Sequence, residues 1–133
     1  MASGTRSRGW CVTMNITADE AKNWSVYQVG LFTSAQWSCR QLERAPTTGQ
    51  YHIQGCMYFK SPRTFDSLKK KCRTAHWEPM KGSIESNRKY CSKEESRVEN
   101  THCIELGDAP KQGTRSDLSA VAIVTGKQTY GET

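Results

Sequence analysis

Apolar and polar positions along the chain switch repeatedly between the period of a strand and the period of a helix. The central stretch is residues 51–59, YHIQGCMYF. Its alternation sends His52, Gln54, Cys56 and Tyr58 to one face and Tyr51, Ile53, Met57 and Phe59 to the other. One face reads as core and the other as a working surface. Upstream, residues 9–15, GWCVTMN, predict a strand rich in aromatic and β-branched residues. Thr17-Ala18-Asp19-Glu20 has the form of a capping box, so a helix is expected to begin near Ala18 with Ala21, Trp24 and Gln28 on its inner side. Residues 25–34 fit either an extension of that helix or an irregular approach to the next strand. Residues 36–43, QWSCRQLE, alternate again and put Trp37, Cys39, Gln41 and Glu43 on one face. The turn-forming residues 45–49, APTTG, then pair this strand as a hairpin with the one carrying His52.

Further on, Ser61-Pro62 has the chemistry of a helix start, and Phe65, Leu68 and Cys72 recur at helical spacing, predicting a helix over residues 62–72. Its Lys69-Lys70-Lys71 run reads as a solvated helix end favoured by the dipole. Residues 74–80, TAHWEPM, predict a strand that Pro79 confines to an edge or to its own end. Lys81-Gly82 turns the chain, and Ser83 caps a third predicted helix reaching Glu94. Residues 102–106 form a last short strand. This order predicts an α+β fold, a central antiparallel sheet of about five strands with helices packed on it. Residues 1–110 form the expected domain. Residues 111–133 read as a polar hinge and the start of a C-terminal helical segment around Ser116-Asp117-Leu118-Ser119.

A length of 133 residues allows one domain with one real core. The 19 Lys and Arg outnumber 13 Asp and Glu, and the resulting charge of +6 biases the surface toward polyanions, nucleic acid first. Six cysteines occur without a CxxC or any close pair, so neither a zinc ribbon nor a compact disulfide framework is signalled, and reduced thiols of a cytosolic or nuclear protein fit. The first residues lack the apolar stretch of a signal peptide, and no run approaches the length that spans a bilayer, which argues against secretion and membrane insertion. Phosphate-cradling Gly-rich patterns are also absent.

Two positions apart on an extended backbone, the His52 imidazole and the Gln54 amide can turn a nitrogen and an oxygen toward one point, which suits a divalent cation with open positions. By itself the pair fits a half-buried strand with a surface histidine better than it fits a metal site.

Taken together, GWCVTMN, YHIQGCMYF and RKYCSK, with RSDLS beyond the hinge, resemble the replication initiator (Rep) proteins of circular single-stranded DNA viruses, of the circovirus and nanovirus type. These belong to the HUH endonuclease superfamily, with its RRM-like sandwich. The resemblance covers about residues 9–120. It implies a metal-dependent endonuclease and strand-joining enzyme that nicks a viral origin in rolling-circle replication and stays attached to the 5′ phosphate through a tyrosine. Two departures stand out. Gln54 occupies the place of the second histidine, as in the circovirus-like branch, and Ile16 follows Asn15 where that branch has a second Asn.

Carried over residue by residue, Tyr90 matches the nucleophile and Lys93 the accompanying cation. An unperturbed phenol holds its proton to a pH of about 10, so a neighbouring positive charge has a clear use. Glu43, His52 and Gln54 match the metal ligands, the carboxylate supplying a countercharge that one imidazole and one neutral amide lack. This oxygen-rich set suits Mg²⁺ or Mn²⁺. Trp10, Thr13, Asn15 and Lys89 are the expected DNA contacts, although the alternation of the first strand also suits Trp10, Val12 and Met14 to the core. His76 and His102 lie outside the motifs and read as structural, and Trp24, Trp37 and Trp77 as core. The implied substrate is single-stranded DNA at an origin hairpin, and the implied compartment is the host nucleus. A helicase domain, a homo-oligomer formed through a further C-terminal region, and host replication proteins belong to the same expectation. Two other readings remain open at the level of sequence: a non-catalytic single-stranded nucleic-acid-binding module, and a plasmid-type initiator.

Overall fold

The structure is a computed structural model that describes residues 4–111. Five antiparallel strands form one sheet: β1 (Arg6–Ile16), β2 (Trp37–Arg44), β3 (Tyr51–Thr64), β4 (His76–Pro79) and β5 (Ile104–Gly107), in the spatial order β4-β1-β3-β2-β5. Four short helices join them: α1 (Ala18–Ala21), α2 (Val29–Thr33), α3 (Phe65–Lys71) and α4 (Ile84–Tyr90). The expected α+β sandwich is the fold observed.

Strand alternation decides what each side of the sheet does. On one side Trp10, Val12, Met14 and Ile16 of β1 meet Ile53, Met57 and Phe59 of β3, Leu42 of β2 and Trp77 of β4. Phe32 of α2 and Leu68 of α3 close this core. On the other side a smaller cluster of Trp37, Cys39 and Cys56 lies under Ile84 of α4 and Cys91 just beyond its end, and the rest of that face carries polar residues, with Gln41, Glu43 and Gln54 buried and Thr13, Asn15 and His52 more open. At about 25 cal/mol per Å² of apolar surface, the first side supplies most of the burial that holds the sheet. The second side is free to be a site.

The capping box forms as expected: the Glu20 amide donates to Thr17 Oγ1 at 3.0 Å, and the Thr17 amide donates to Glu20 Oε1 at 2.8 Å. The helix it starts lasts only to Ala21, and the ambiguous stretch that follows contains the short α2. Ser61-Pro62 does not open a helix. β3 runs on to Thr64 because Arg63 and Thr64 pair with Ser7 and Arg6, and Pro62, which has no amide hydrogen, falls where the β1–β3 register is interrupted and none is required. Thr64 is the helix cap instead, its hydroxyl accepting from the Ser67 amide at 3.1 Å.

Ser83 does cap α4, accepting from the Ser86 amide at 3.0 Å. That helix ends at Tyr90 rather than Glu94. The following segment is drawn to the free upper edge of β2, where the Arg44 amide donates to Ser96 O at 2.9 Å and the Val98 amide to Leu42 O at 3.1 Å. The lower half of the same edge is taken by β5. Pro79 sits on an outer strand, as its missing donor requires. The hinge residues 112–115 and the C-terminal helix expected around Leu118 lie outside the described residues.

Candidate metal and tyrosine site

Register places the site. Glu43 of β2 lies directly opposite His52 of β3, and Gln41 opposite Gln54. On the far side of β3, Asn15 and Thr13 of β1 face the same two residues. All six side chains therefore share the open face. His52 Nε2 lies 3.0 Å from Glu43 Oε1. The other carboxylate oxygen, Oε2, accepts from Lys93 Nζ and from Gln41 Nε2, each at 2.8 Å. Gln41 also donates to Lys93 O at 2.8 Å, so a single amide ties the carboxylate to the loop that carries the lysine. Gln54 is held by two contacts: its Oε1 accepts from Thr13 Oγ1 at 3.1 Å, and its Nε2 donates to Val12 O at 3.3 Å.

Burial alone would push the Glu43 carboxyl up. The hydrogen bonds from His52, Gln41 and Lys93, with the charge of Lys93, outweigh it and hold the group at about 2. The carboxylate stays ionised although almost wholly enclosed. His52 Nε2 and Glu43 Oε1 share this contact at 3.0 Å, and an imidazole nitrogen beside a carboxylate oxygen is a donor pair that a divalent cation could take. Glu43, His52 and Gln54 thus share one face, His52 and Glu43 in direct contact and the Gln54 oxygen turned to Thr13. Such an ion, bound there, would act as a Lewis acid on a phosphate oxygen.

Tyr90, the last residue of α4, is 54% exposed, unusually open for an aromatic side chain. Lys93 Nζ stands 4.1 Å from the centre of its ring and 3.4 Å from its carbonyl oxygen, so one ammonium joins the tyrosine to the Glu43 carboxylate. α4 is fastened to the sheet by Asn87. Its amide nitrogen donates to Lys81 O and Ser83 O at 2.8 Å each, and its oxygen accepts from Cys11 Sγ at 3.1 Å. Between α4 and the β1–β4 edge lies a groove of about 280 Å³, lined by Thr13, Gln54, His76, Glu78 and Tyr90 among others.

Of the expected DNA contacts, Asn15 and Lys89 are exposed, and Thr13 is half-buried against Gln54. Trp10 is corrected: it is fully enclosed in the main core with its indole nitrogen donating to Ser7 O at 2.8 Å, and it offers no surface to a nucleic acid. Trp37 and Trp77 are core, as expected, and Trp24 is packed against it. Sequence reasoning missed Gln41, whose place two residues before Glu43 on the same face was its only signal. His76, expected to be structural, lines the groove and shares a 2.6 Å contact with Glu78. That hydrogen bond and the charge of His76 hold the Glu78 carboxyl below its ordinary value. The open ends of a short edge strand carry no motif, so nothing local marked this pair.

Residues 7–94 match the family described as "Putative viral replication protein". The replication-associated protein of canary circovirus is 38% identical over 120 residues, covering 89% of this chain and 38% of that protein. Para-Rep C2 of milk vetch dwarf C2 alphasatellite is 38% identical over 113 residues, 81% of this chain and 36% of its own length. For the replication-associated protein of beak and feather disease virus the identity is 33% over 121 residues, 91% of this chain and 39% of that protein. The chain spans well under half the length of these relatives. The matched segment carries all five groups that meet at the site, and with it the chain belongs to the viral replication protein family, as a Rep domain of the circular single-stranded DNA virus type.

Proposed function

We propose that this domain nicks and rejoins single-stranded DNA at a viral origin, with Tyr90 as the nucleophile. The carrying observation is the ammonium of Lys93, which bonds the Glu43 carboxylate at 2.8 Å and stands 4.1 Å from the Tyr90 ring. It thereby couples a metal-type pair to an exposed phenol. In this reading the Tyr90 oxygen attacks the scissile phosphorus and gives up its proton. The bond from phosphorus to the 3′ oxygen breaks, that oxygen takes a proton and leaves as a 3′ hydroxyl, and the 5′ phosphate remains as an ester of Tyr90. Attack by a 3′ hydroxyl on this ester reverses the step and needs no ATP, because the phosphodiester count is unchanged. Lys93, with its ammonium beside the Tyr90 ring, faces the phosphate and offsets the negative charge that builds there. Glu43, His52 and Gln54 would hold a divalent cation, Mg²⁺ or Mn²⁺, which when bound supplies Lewis-acid stabilisation of the phosphate charge. An unpaired strand suits the open face because its bases are free to splay across a sheet.

The test is a labelled single-stranded oligonucleotide with a hairpin origin, incubated with Mn²⁺ or with chelator and run on a denaturing gel. The wild-type chain should yield a covalent adduct that chelator abolishes. Tyr90→Phe removes one oxygen, and should cut adduct formation by more than about a hundredfold while leaving oligonucleotide binding within about twofold. An adduct undiminished in the Phe variant would move the nucleophile elsewhere. Binding without cleavage by the wild-type chain would leave a nucleic-acid-binding module.

A further inference from the structure

Five of the six cysteines, far apart in sequence, converge behind the site. Cys39 of β2 and Cys56 of β3 are direct cross-strand partners, and Cys56 is also the partner of Cys11 of β1. Cys91 descends onto them from the end of α4, and Cys103, just before β5, packs against the same cluster beside Cys39. The sulfurs of Cys39, Cys56 and Cys91 all lie within 4.8 Å of one another, with the Cys39–Cys56 pair at 3.4 Å. All three are buried. Cys72 is the exception, on the opposite face of the sheet.

We propose that Cys39, Cys56 and Cys91, with Cys103 closing the fourth position, form a thiolate site for Zn²⁺. Sulfurs bound tetrahedrally at about 2.3 Å from zinc stand about 3.8 Å apart, so the observed trio surrounds such a point with sub-ångström adjustments. Three of the ligands come from rigid elements, two neighbouring strands and a helix end, which fixes the geometry before the ion arrives. Cys103 is half-exposed and supplies the way in. Binding forms four Zn–S bonds and releases four thiol protons to solvent, with no change of oxidation state. Soft thiolates distinguish this site from the imidazole, amide and carboxylate of the Glu43 face, which suit Mg²⁺ or Mn²⁺. Cys91 directly follows Tyr90, and a zinc ion would clamp the end of α4 to the sheet.

The experiment uses the full chain, reduced with a phosphine and stripped by chelator. Titration with Co²⁺ should give a thiolate-to-cobalt charge-transfer band in the near ultraviolet that saturates at about one ion per chain, and Zn²⁺ should abolish it by displacement. Zn²⁺ at about a hundredfold over its dissociation constant should raise the thermal midpoint by about 10 °C. Cys39→Ala and Cys91→Ala should each weaken cobalt binding at least tenfold, whereas His52→Ala should leave the band intact. Absence of the charge-transfer band in the wild-type chain overturns the assignment whatever the variants do. So does a band lost in His52→Ala, or one unchanged in folded Cys39→Ala. None of these results bears on Tyr90 chemistry, which is read separately from the covalent adduct.

Discussion

Glu43 is the residue on which the site's charge balance turns. Its carboxyl sits at about 2 rather than the ordinary 4.5, because the hydrogen bonds from His52, Gln41 and Lys93 overcome the effect of burial. A carboxyl held low in the folded state adds stability that is fully present above its ordinary value and is lost as pH falls toward about 2. The gap corresponds to roughly 3 kcal/mol. Urea unfolding at about pH 5 and about pH 2.5 should therefore differ by about 2 kcal/mol less in Glu43→Gln than in the wild-type chain. An identical pH response in both would mean that the Glu43 contacts contribute nothing to acid stability. In the proposed reaction Lys93 has two opposed effects: its ammonium, beside the Tyr90 ring, offsets negative charge at the phosphate, and it competes with any cation for the Glu43 oxygen it already holds. Lys93→Ala should bind Mn²⁺ about three- to tenfold more tightly by calorimetry, yet cleave at least about tenfold more slowly. Weaker Mn²⁺ binding would instead make Lys93 the group that orients the carboxylate.

At the scale of elements, the site depends on strands that can approach closely. Gly55, between Gln54 and Cys56, sits in the middle of the sheet with its missing side chain directed at α2. A Cβ there would lie 2.9 Å from the Phe32 ring, 3.2 Å from Cys39 O and 3.3 Å from Arg40 Cβ. Gly55→Ala should destabilise the fold by about 1–3 kcal/mol, read as a lower denaturation midpoint with unchanged m-value. A neutral result would show that Phe32 and α2 can shift outward freely. The strand period of residues 51–59 was enough to separate the ligand face from the core face, since alternation is a local property of an extended backbone. Helix ends were harder to read. Ser61-Pro62 satisfies the local rules for a helix start, but the pairing of Arg63 and Thr64 with β1 carries β3 past it, and α4 stops four residues early because residues 96–98 find backbone partners on β2. In both places hydrogen bonds to a distant strand outweigh local propensity.

For the molecule as a whole, the division of the sheet into a filled face and an open one matters most. The core on one side includes Trp10, so this aromatic of the first motif holds the fold and cannot stack on a base. The other side carries the candidate site, and in the proposed function the chain's net charge of +6 favours the approach of a polyanion. Affinity for a single-stranded oligonucleotide should fall at least about tenfold between about 50 and 200 mM salt, as expected when about three phosphates are neutralised. Fluorescence anisotropy would measure it. A flat salt response would leave stacking and base contacts, rather than charge, as the source of binding.

Local signals sufficed for the alternating strands, the Thr17 and Ser83 caps, the placing of Pro79 at a sheet edge or strand end, and the ordered motifs that carry His52, Gln54, Tyr90 and Lys93. What depended on neighbours distant in the chain was decided only in the tertiary structure. Register brought Glu43 opposite His52 and set Gln41 and Thr13 as their supports, and a loop of three residues beyond Tyr90 carried Lys93 back to the carboxylate. The cysteines show the contrast most sharply. Their spacing in the chain lacks every pattern of a metal motif, yet strand pairing and one helix end bring three of their sulfurs within 4.8 Å, because proximity across a sheet is set by pairing and not by separation in sequence.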